Sequence, residues 1–216
     1  MVCTHPREMT DPSPPPSSLE VELKRAYNAA IDVGVTHFWN RGPIPGVHAD
    51  EVFTLYKQAW DAYQRGTPTD RLLSERWARA VKHLALALWH EAKIDYLEPR
   101  TTDLPEPSIG GTQTSPGWPS MSQETALALL DSAAEKIPEE DSSDPRFNIA
   151  RRLLAQGKKH LERVEPNPPQ SELLNQVRIQ AAHEYGRTIE YLLLAMESEA
   201  EPEKANGPAI SRQAAA

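Results

Sequence analysis

Two histidines are the first residues whose type and spacing could support chemistry. His83 and His90 lie seven residues apart, which places them on one face of a helix, two turns from each other. Two histidines that bind one metal ion from a helix usually stand four residues apart, because each imidazole must reach the ion at about 2 Å. The wider spacing predicts a partly exposed polar face and no metal site.

Motifs for cofactors and nucleotides are absent from the sequence. It contains no Gly-rich phosphate loop, no Gly-x-Ser-x-Gly nucleophile elbow and no Glu-x-x-His repeat of the kind that holds a di-iron centre. Cys3 is the only cysteine, so neither an intramolecular disulfide nor a thiolate metal cluster can form. We therefore predict that the protein uses no cofactor and no metal.

A group of basic residues and a single tryptophan are the candidate binding residues. The predicted fifth helix carries five cations opposite its apolar side: Arg151, Arg152, Lys158, Lys159 and Arg163. They could hold phosphate or an acidic partner, but a solvated helix face explains them better, since no aromatic residues are interleaved for base stacking. Trp118 lies in a polar segment, where it either anchors that segment on the helices or docks a partner.

The charge and the apolar content narrow the classes of partner. With 31 acidic and 23 basic residues, the net charge of −8 repels nucleic acid, so we expect no nucleic-acid partner. No apolar run approaches the roughly 20 residues that a membrane span needs, and the N-terminal residues do not form a signal peptide. We expect a cytoplasmic protein without membrane contact.

Apolar periodicity and helix-breaking residues predict six helices. Their predicted ranges are 18–40, 49–65, 69–97, 122–137, 145–164 and 170–198. Ser17 and Glu20 form a capping box for the first helix, and Thr69 or Asp70 is the expected cap of the third. The third helix holds six successive apolar residues from Leu84 to Trp89, and we expect Leu84, Leu88 and Trp89 to be enclosed by other helices.

The domain organisation follows from these helices. We predict a single all-α domain over 18–198, a six-helix bundle in which the long third and sixth helices are central. Its halves, 18–98 and 122–198, are joined by a Pro- and Gly-rich loop at 99–121, which is long for a connection within a domain. The segments 1–17 and 199–216 are expected to be disordered. A local likeness between the two long helices leaves duplication of the halves open.

Part of the chain resembles a known family. Seven residues within 56–82 resemble the helical hairpin of HEPN-type domains: Tyr56, Ala59, Gly66, Glu75, Trp77, Ala80 and Lys82. The resemblance implies a ribonuclease motif at Arg178 and His183, with Arg178 stabilising phosphate charge and His183 acting as general acid or base at a dimer interface. Ile179 replaces the polar residue of that motif. The segment 164–168 also resembles the turn of tetratricopeptide-like repeats.

The absence of a reactive constellation favours a binding function. We predict a non-enzymatic helical module that binds protein partners through a groove beside the Pro- and Gly-rich loop and that can form a homodimer. One alternative is a HEPN-like ribonuclease or RNA-binding protein that uses Arg178 and His183. Another is a helical bundle that binds a small molecule in a pocket lined by Trp60, Trp77 and Trp89.

Overall fold

The computed structural model describes residues 17–39, 49–98, 121–138, 144–165 and 172–200. Within these ranges the chain forms α-helices and no strand, which confirms the all-α prediction. The helices are α1 (Ser18–Trp39), α2 (Ala49–Arg65), α3 (Pro68–Leu97), α4 (Gln123–Ala134), α5 (Pro145–Glu162) and α6 (Glu172–Ala200). None of these helices is long and apolar enough to cross a membrane. The predictions for 1–16, 99–120 and 201–216 lie outside the described residues.

The helix starts follow local capping chemistry. At α1 the Ser17 backbone N–H donates to Glu20 Oε2 at 2.6 Å, and the Glu20 N–H donates to Ser17 Oγ at 3.2 Å, as the predicted capping box requires. The predicted cap of α3 is wrong. Its cap is Thr67, whose hydroxyl accepts from the Asp70 N–H at 3.1 Å, because Pro68 needs no hydrogen-bond partner at the first helical position.

The two long helices form the centre of the fold. α3 packs along α6, and each of them also packs against two shorter helices: α1 and α2 cover α3, while α4 and α5 cover α6. The largest wholly buried side chains are mostly on the long pair and include Trp77, Leu84, Tyr185 and Leu192. The two halves therefore share one arrangement of helices around a common interface.

The middle of α3 is only partly enclosed. Leu84 and Leu88 are 0% and 1% exposed, as predicted, but Trp89 is 43% exposed, so the prediction that it is enclosed is wrong. α1, α2 and α6 leave one side of α3 open, and Trp89 lies on that side. The Lys93 ammonium lies 5.3 Å from the centroid of the Trp89 ring and covers part of it.

Candidate functional site

An exposed group of large apolar side chains lies over α1 and α2. These helices run antiparallel, because Tyr63 Oη donates to Glu20 Oε1 at 2.8 Å while the rings of Tyr27 and Tyr56 lie 5.5 Å apart further along. We name this surface the aromatic face and define it by six residues: four exposed ones, Tyr27, Ile31, Phe53 and Trp60, and two partly buried ones that pack against the core, Tyr56 and Tyr63.

The aromatic face arises from the spacing of residues on α2. Phe53, Tyr56, Trp60 and Tyr63 follow each other at intervals of three and four residues, so they form one stripe along the helix. The core is instead filled by smaller residues of α2: Val52, Leu55, Ala59 and Ala62. Phe53 and Trp60 therefore remain 44% and 43% exposed, and on α1 Tyr27 and Ile31 are 46% and 42% exposed.

The aromatic face points away from the second half of the molecule. Glu51, which pairs with Arg152 of α5, lies on the side of α2 opposite to Phe53 and Trp60 at 3.6 residues per turn. Four of the eight large apolar side chains that the described residues expose belong to this one face. It is therefore a concentrated apolar surface that no helix of the described chain covers.

A carboxylate and two imidazoles meet where α3 packs on α6. Glu184 Oε2 lies 2.6 Å from His83 Nδ1, and its Oε1 lies 3.4 Å from His183 Nδ1. Burial opposes ionisation of Glu184, but the hydrogen bonds of His183 and His83 outweigh it and lower the pKa of this carboxyl to about 2. The His83 ring stacks on Tyr191 with centroids 5.4 Å apart.

The cations beside this cluster are already neutralised. Arg79 and Arg187 lie 5.6 and 6.0 Å from the centroid of the Tyr191 ring. Each has a carboxylate partner on its own helix: Arg79 pairs with Glu75 at 2.5 Å and Arg187 with Glu190 at 2.7 Å. Within the described ranges no three acidic, histidine or cysteine residues are placed to hold a metal ion. Through the contact of His83 with Glu184, the cluster joins α3 to α6.

His90 departs from the polar face predicted for it. Its side chain is 1% exposed, so the prediction of partial exposure is wrong for this residue. Burial lowers the pKa of His90 to about 4, although the nearby Glu184 carboxylate acts in the opposite direction. His90 is therefore a neutral core residue at physiological pH, and only His83 of the pair lies at the partly exposed edge.

A second buried polar contact joins three helices. His160 Nε2 of α5 lies 2.9 Å from Glu91 Oε1 of α3, and Gln156 Nε2 donates to the same oxygen at 2.5 Å. The His160 ring stacks on Tyr185 of α6 with a centroid distance of 6.1 Å. Burial acts to raise the pKa of Glu91, but hydrogen bonds from His160 and Gln156 lower it overall. Sequence reasoning missed this group because its members are far apart along the chain.

The two residues implied by the HEPN resemblance take part in separate contacts. Arg178 is buried, where its Nη1 donates to the backbone oxygen of Arg163 and its Nη2 donates to Glu98 Oε1 at 2.9 Å. His183 contacts Glu184 instead. Arg178 therefore fixes the ends of α3 and α5 against α6 rather than presenting a free guanidinium beside His183.

The predicted basic face of α5 does not form one free cationic surface. Arg151 donates to Asn148 Oδ1 at 2.7 Å and to the Pro138 oxygen at 2.8 Å, and Lys159 is exposed without an ion pair among the described residues. The other three cations pair with acids: Arg152 with Glu51, Lys158 with Asp131 at 3.0 Å, and Arg163 with Glu98 at 3.7 Å. Trp118, the remaining candidate binding residue, lies outside the described residues.

The cavities on the described surface include three beside the long helices. One of about 240 Å³ lies between α1 and α3 beside Trp89, and one of about 560 Å³ lies beside Arg163 and Arg178. The third, of about 430 Å³, lies at the end of α6. The structure does not bring the three predicted tryptophans into one pocket, because Trp77 is wholly buried and Trp60 belongs to the aromatic face.

Comparison with known proteins identified no relative of this chain. No protein-family model, no curated protein and no solved structure matches this chain. The HEPN resemblance and the cytoplasmic location therefore stay predictions from the sequence.

Proposed function

We propose that this protein is a helical module that binds protein partners through the aromatic face. The observation that carries the proposal is the concentration of Tyr27, Ile31, Phe53 and Trp60 on one surface, each more than 40% exposed. Contiguous exposed apolar surface of this kind marks interaction sites in soluble proteins, and aromatic residues supply much of the binding energy at such sites.

The shape of the aromatic face fits a partner helix. The stripe from Phe53 to Tyr63 spans ten residue steps of α2, or about 15 Å at 1.5 Å per residue. A partner helix of about three turns could lie along it and insert apolar side chains at every third or fourth position. Burial of the exposed rings would contribute about 25 cal/mol for each Å² of apolar surface, from which the entropy lost on association is subtracted.

Charges around the aromatic face indicate the character of that helix. Lys57 pairs with Asp61 at 2.5 Å on the outer side of α2, so these two charges compensate each other. Lys24 lies on the same side of α1 as Tyr27 and forms no ion pair within the described part of the chain. We therefore expect the partner to be an amphipathic helix that places an acidic residue near Lys24.

The test compares two sites of equal exposure. The double variant Phe53→Ser, Trp60→Ala removes the centre of the aromatic face, whereas Trp89→Ala removes a tryptophan of the same 43% exposure elsewhere. Immobilised wild type, double variant and control are incubated with extract of the source cells. We expect wild type and Trp89→Ala to retain the same proteins and the double variant to lose them.

Two results would count against the proposal. If the double variant retains the same proteins, or if Trp89→Ala loses them equally, the aromatic face is not the binding surface. Light scattering of the purified proteins tests a second copy as the occupant. If the wild type is a dimer and only the double variant is a monomer, the aromatic face binds a second copy of this chain and not a different protein.

A further inference from the structure

The cavity at the end of α6 has an apolar floor. Its volume of about 430 Å³ lies within the range of small-molecule sites. Leu193 and Met196 of α6 and Phe147 of α5 line it, and the two α6 side chains are 4% and 8% exposed. This floor can accommodate an alkyl chain.

The charged groups at the mouth of this cavity leave an excess of negative charge. Arg146 donates to Asp144 at 2.7 to 3.0 Å and to Glu199, so two carboxylates share one guanidinium. Glu197 and Lys136 also line the cavity, and neither forms an ion pair in the described ranges. Five charged groups therefore give the mouth a formal charge of −1.

The backbone of α6 adds to this negative field. The last described turn of α6 carries no basic residue, and Glu197 and Glu199 stand in this turn, where the helix dipole is negative. Cations are the charges that stabilise this end of a helix. The acidic side chains therefore destabilise the end of α6, and a positively charged ligand would reduce this destabilisation.

We propose that this cavity binds a small amphipathic cation, a primary ammonium on an alkyl chain. The ammonium contacts Glu197, and the chain lies on Phe147, Leu193 and Met196. The site is independent of the aromatic face, which lies on the other half of the molecule. Binding here needs no covalent step and no cofactor.

Methionine methyl resonances give a direct measurement. The chain has four methionines, so labelling their methyl carbons yields few NMR signals, and Met196→Leu identifies the signal of Met196. We titrate the protein at neutral pH with octylammonium, octanoate, octanol and butylammonium, up to about 10 mM for ligands of this size. Octylammonium is expected to shift the Met196 signal and to reach saturation at a lower concentration than the other three ligands.

The four ligands separate charge from chain length. Octanoate and octanol should bind at least fivefold more weakly than octylammonium if the mouth selects a cation. Butylammonium should bind roughly tenfold or more weakly than octylammonium, because it buries four fewer methylene groups. Butylammonium has the same alkyl chain length as a lysine side chain, so it also tests whether the lysine of a protein partner could bind here. Equal binding of octanol or octanoate, equal binding of butylammonium, or an unmoved Met196 signal with all four ligands would overturn the proposal.

Three variants locate the binding event. Glu197→Gln should weaken octylammonium roughly threefold, the effect of one exposed ion pair. Ala200→Trp should block the mouth from an exposed position, with little risk to folding. Glu162→Gln removes an exposed acid at the end of α5 and serves as the matched control, which should bind like wild type. An effect of Glu162→Gln equal to that of Glu197→Gln would contradict the assigned site.

Discussion

The first half of the molecule, α1 to α3, exposes six of the eight large apolar side chains that the described residues leave accessible, whereas α4 to α6 expose two. Buried polar side chains show the reverse distribution. Six of the nine in the described ranges belong to the second half, and Arg178, Glu184 and His160 are among them. The halves share an arrangement of helices, but one leaves apolar surface outside while the other encloses polar groups.

The two halves differ in what their unusual side chains can do: buried polar groups position the long helices, whereas exposed apolar groups are candidates for binding. Three of these polar side chains, Arg178, Glu184 and His160, contact α3 or its C-terminal cap residue Glu98, and these contacts fix how the long helices meet. Two members of the aromatic face, Tyr56 and Tyr63, pack against the core, but its four exposed members lie outside the core. The four exposed side chains are the apolar surface for which we propose a partner.

The largest expected effect distinguishes core from face. Leu84→Ala in the first half and Leu192→Ala in the second should each lower the free energy of unfolding by roughly 2 to 5 kcal/mol, because both side chains are wholly buried. Trp60→Ala should cost less than about 1 kcal/mol, since its ring is already half outside. Urea unfolding measures all three. A Trp60→Ala variant as unstable as Leu84→Ala would make the aromatic face part of the core.

The buried His90 predicts a pH dependence of stability. Its pKa is about 4 in the folded protein against 6.5 for the free side chain, so the native state lacks a proton that the unfolded chain binds between these values. Stability should therefore fall by up to about 3 kcal/mol as the pH drops from 6.5 to 4. The contribution of Glu184, with a pKa of about 2, is lost only below about pH 4.5.

The variant His90→Gln tests this assignment. Thermal or urea unfolding between pH 6.5 and 5 should show a shallower dependence on pH for the variant than for wild type. The range above pH 5 avoids the titration of Glu184. Identical slopes in the two proteins would show that His90 is not the residue responsible.

Local sequence signals predicted the helices better than the site. The capping box at Ser17 and Glu20 needs only neighbouring residues, and it is present. The exposure of Trp89 depends instead on which sides of α3 other helices cover, and periodicity cannot show this for a helix that is apolar nearly all round. Contacts such as His83 with Glu184 join residues 101 positions apart, so no local spacing indicates them.

A glycine of α6 tests how closely the second half is packed. A Cβ atom at Gly186 would lie 2.8 Å from Cγ and Cδ2 of Leu129, whereas one at Gly157 would come within 2.9 Å of only a terminal methyl of Leu130. Alanine in a helix normally stabilises by about 1 kcal/mol relative to glycine. Because overpacking costs about 1 to 3 kcal/mol, Gly186→Ala should be destabilising by about 1 kcal/mol and Gly157→Ala less so.

The neighbouring leucine provides the control for this prediction. Gly186→Ala combined with Leu129→Ala should be more stable than the sum of the two single changes predicts, because the smaller residue relieves the clash. Chemical unfolding of the four proteins gives the coupling energy. Additive changes would mean that Leu129 does not limit the approach of α4 to α6.

The smallest expected effect concerns the ion pair between the halves. Arg152 of α5 contacts Glu51 of α2, but its side chain is 59% exposed. Arg152→Ala should change the free energy of unfolding by less than about 1 kcal/mol, and added salt should reduce the difference further. A salt-independent loss larger than this would show that the pair, rather than the interface of α3 with α6, holds the halves together.

Photo-cross-linking tests the central claim, that the aromatic face is the binding surface, most directly. A benzophenone side chain replaces Phe53 in the first half or Leu127 in the second, two residues of equal 44% exposure. Irradiation in the source cells should give a discrete cross-linked product with another protein from position 53 and none from position 127. Products of equal yield from both positions, or from position 127 alone, would contradict the account.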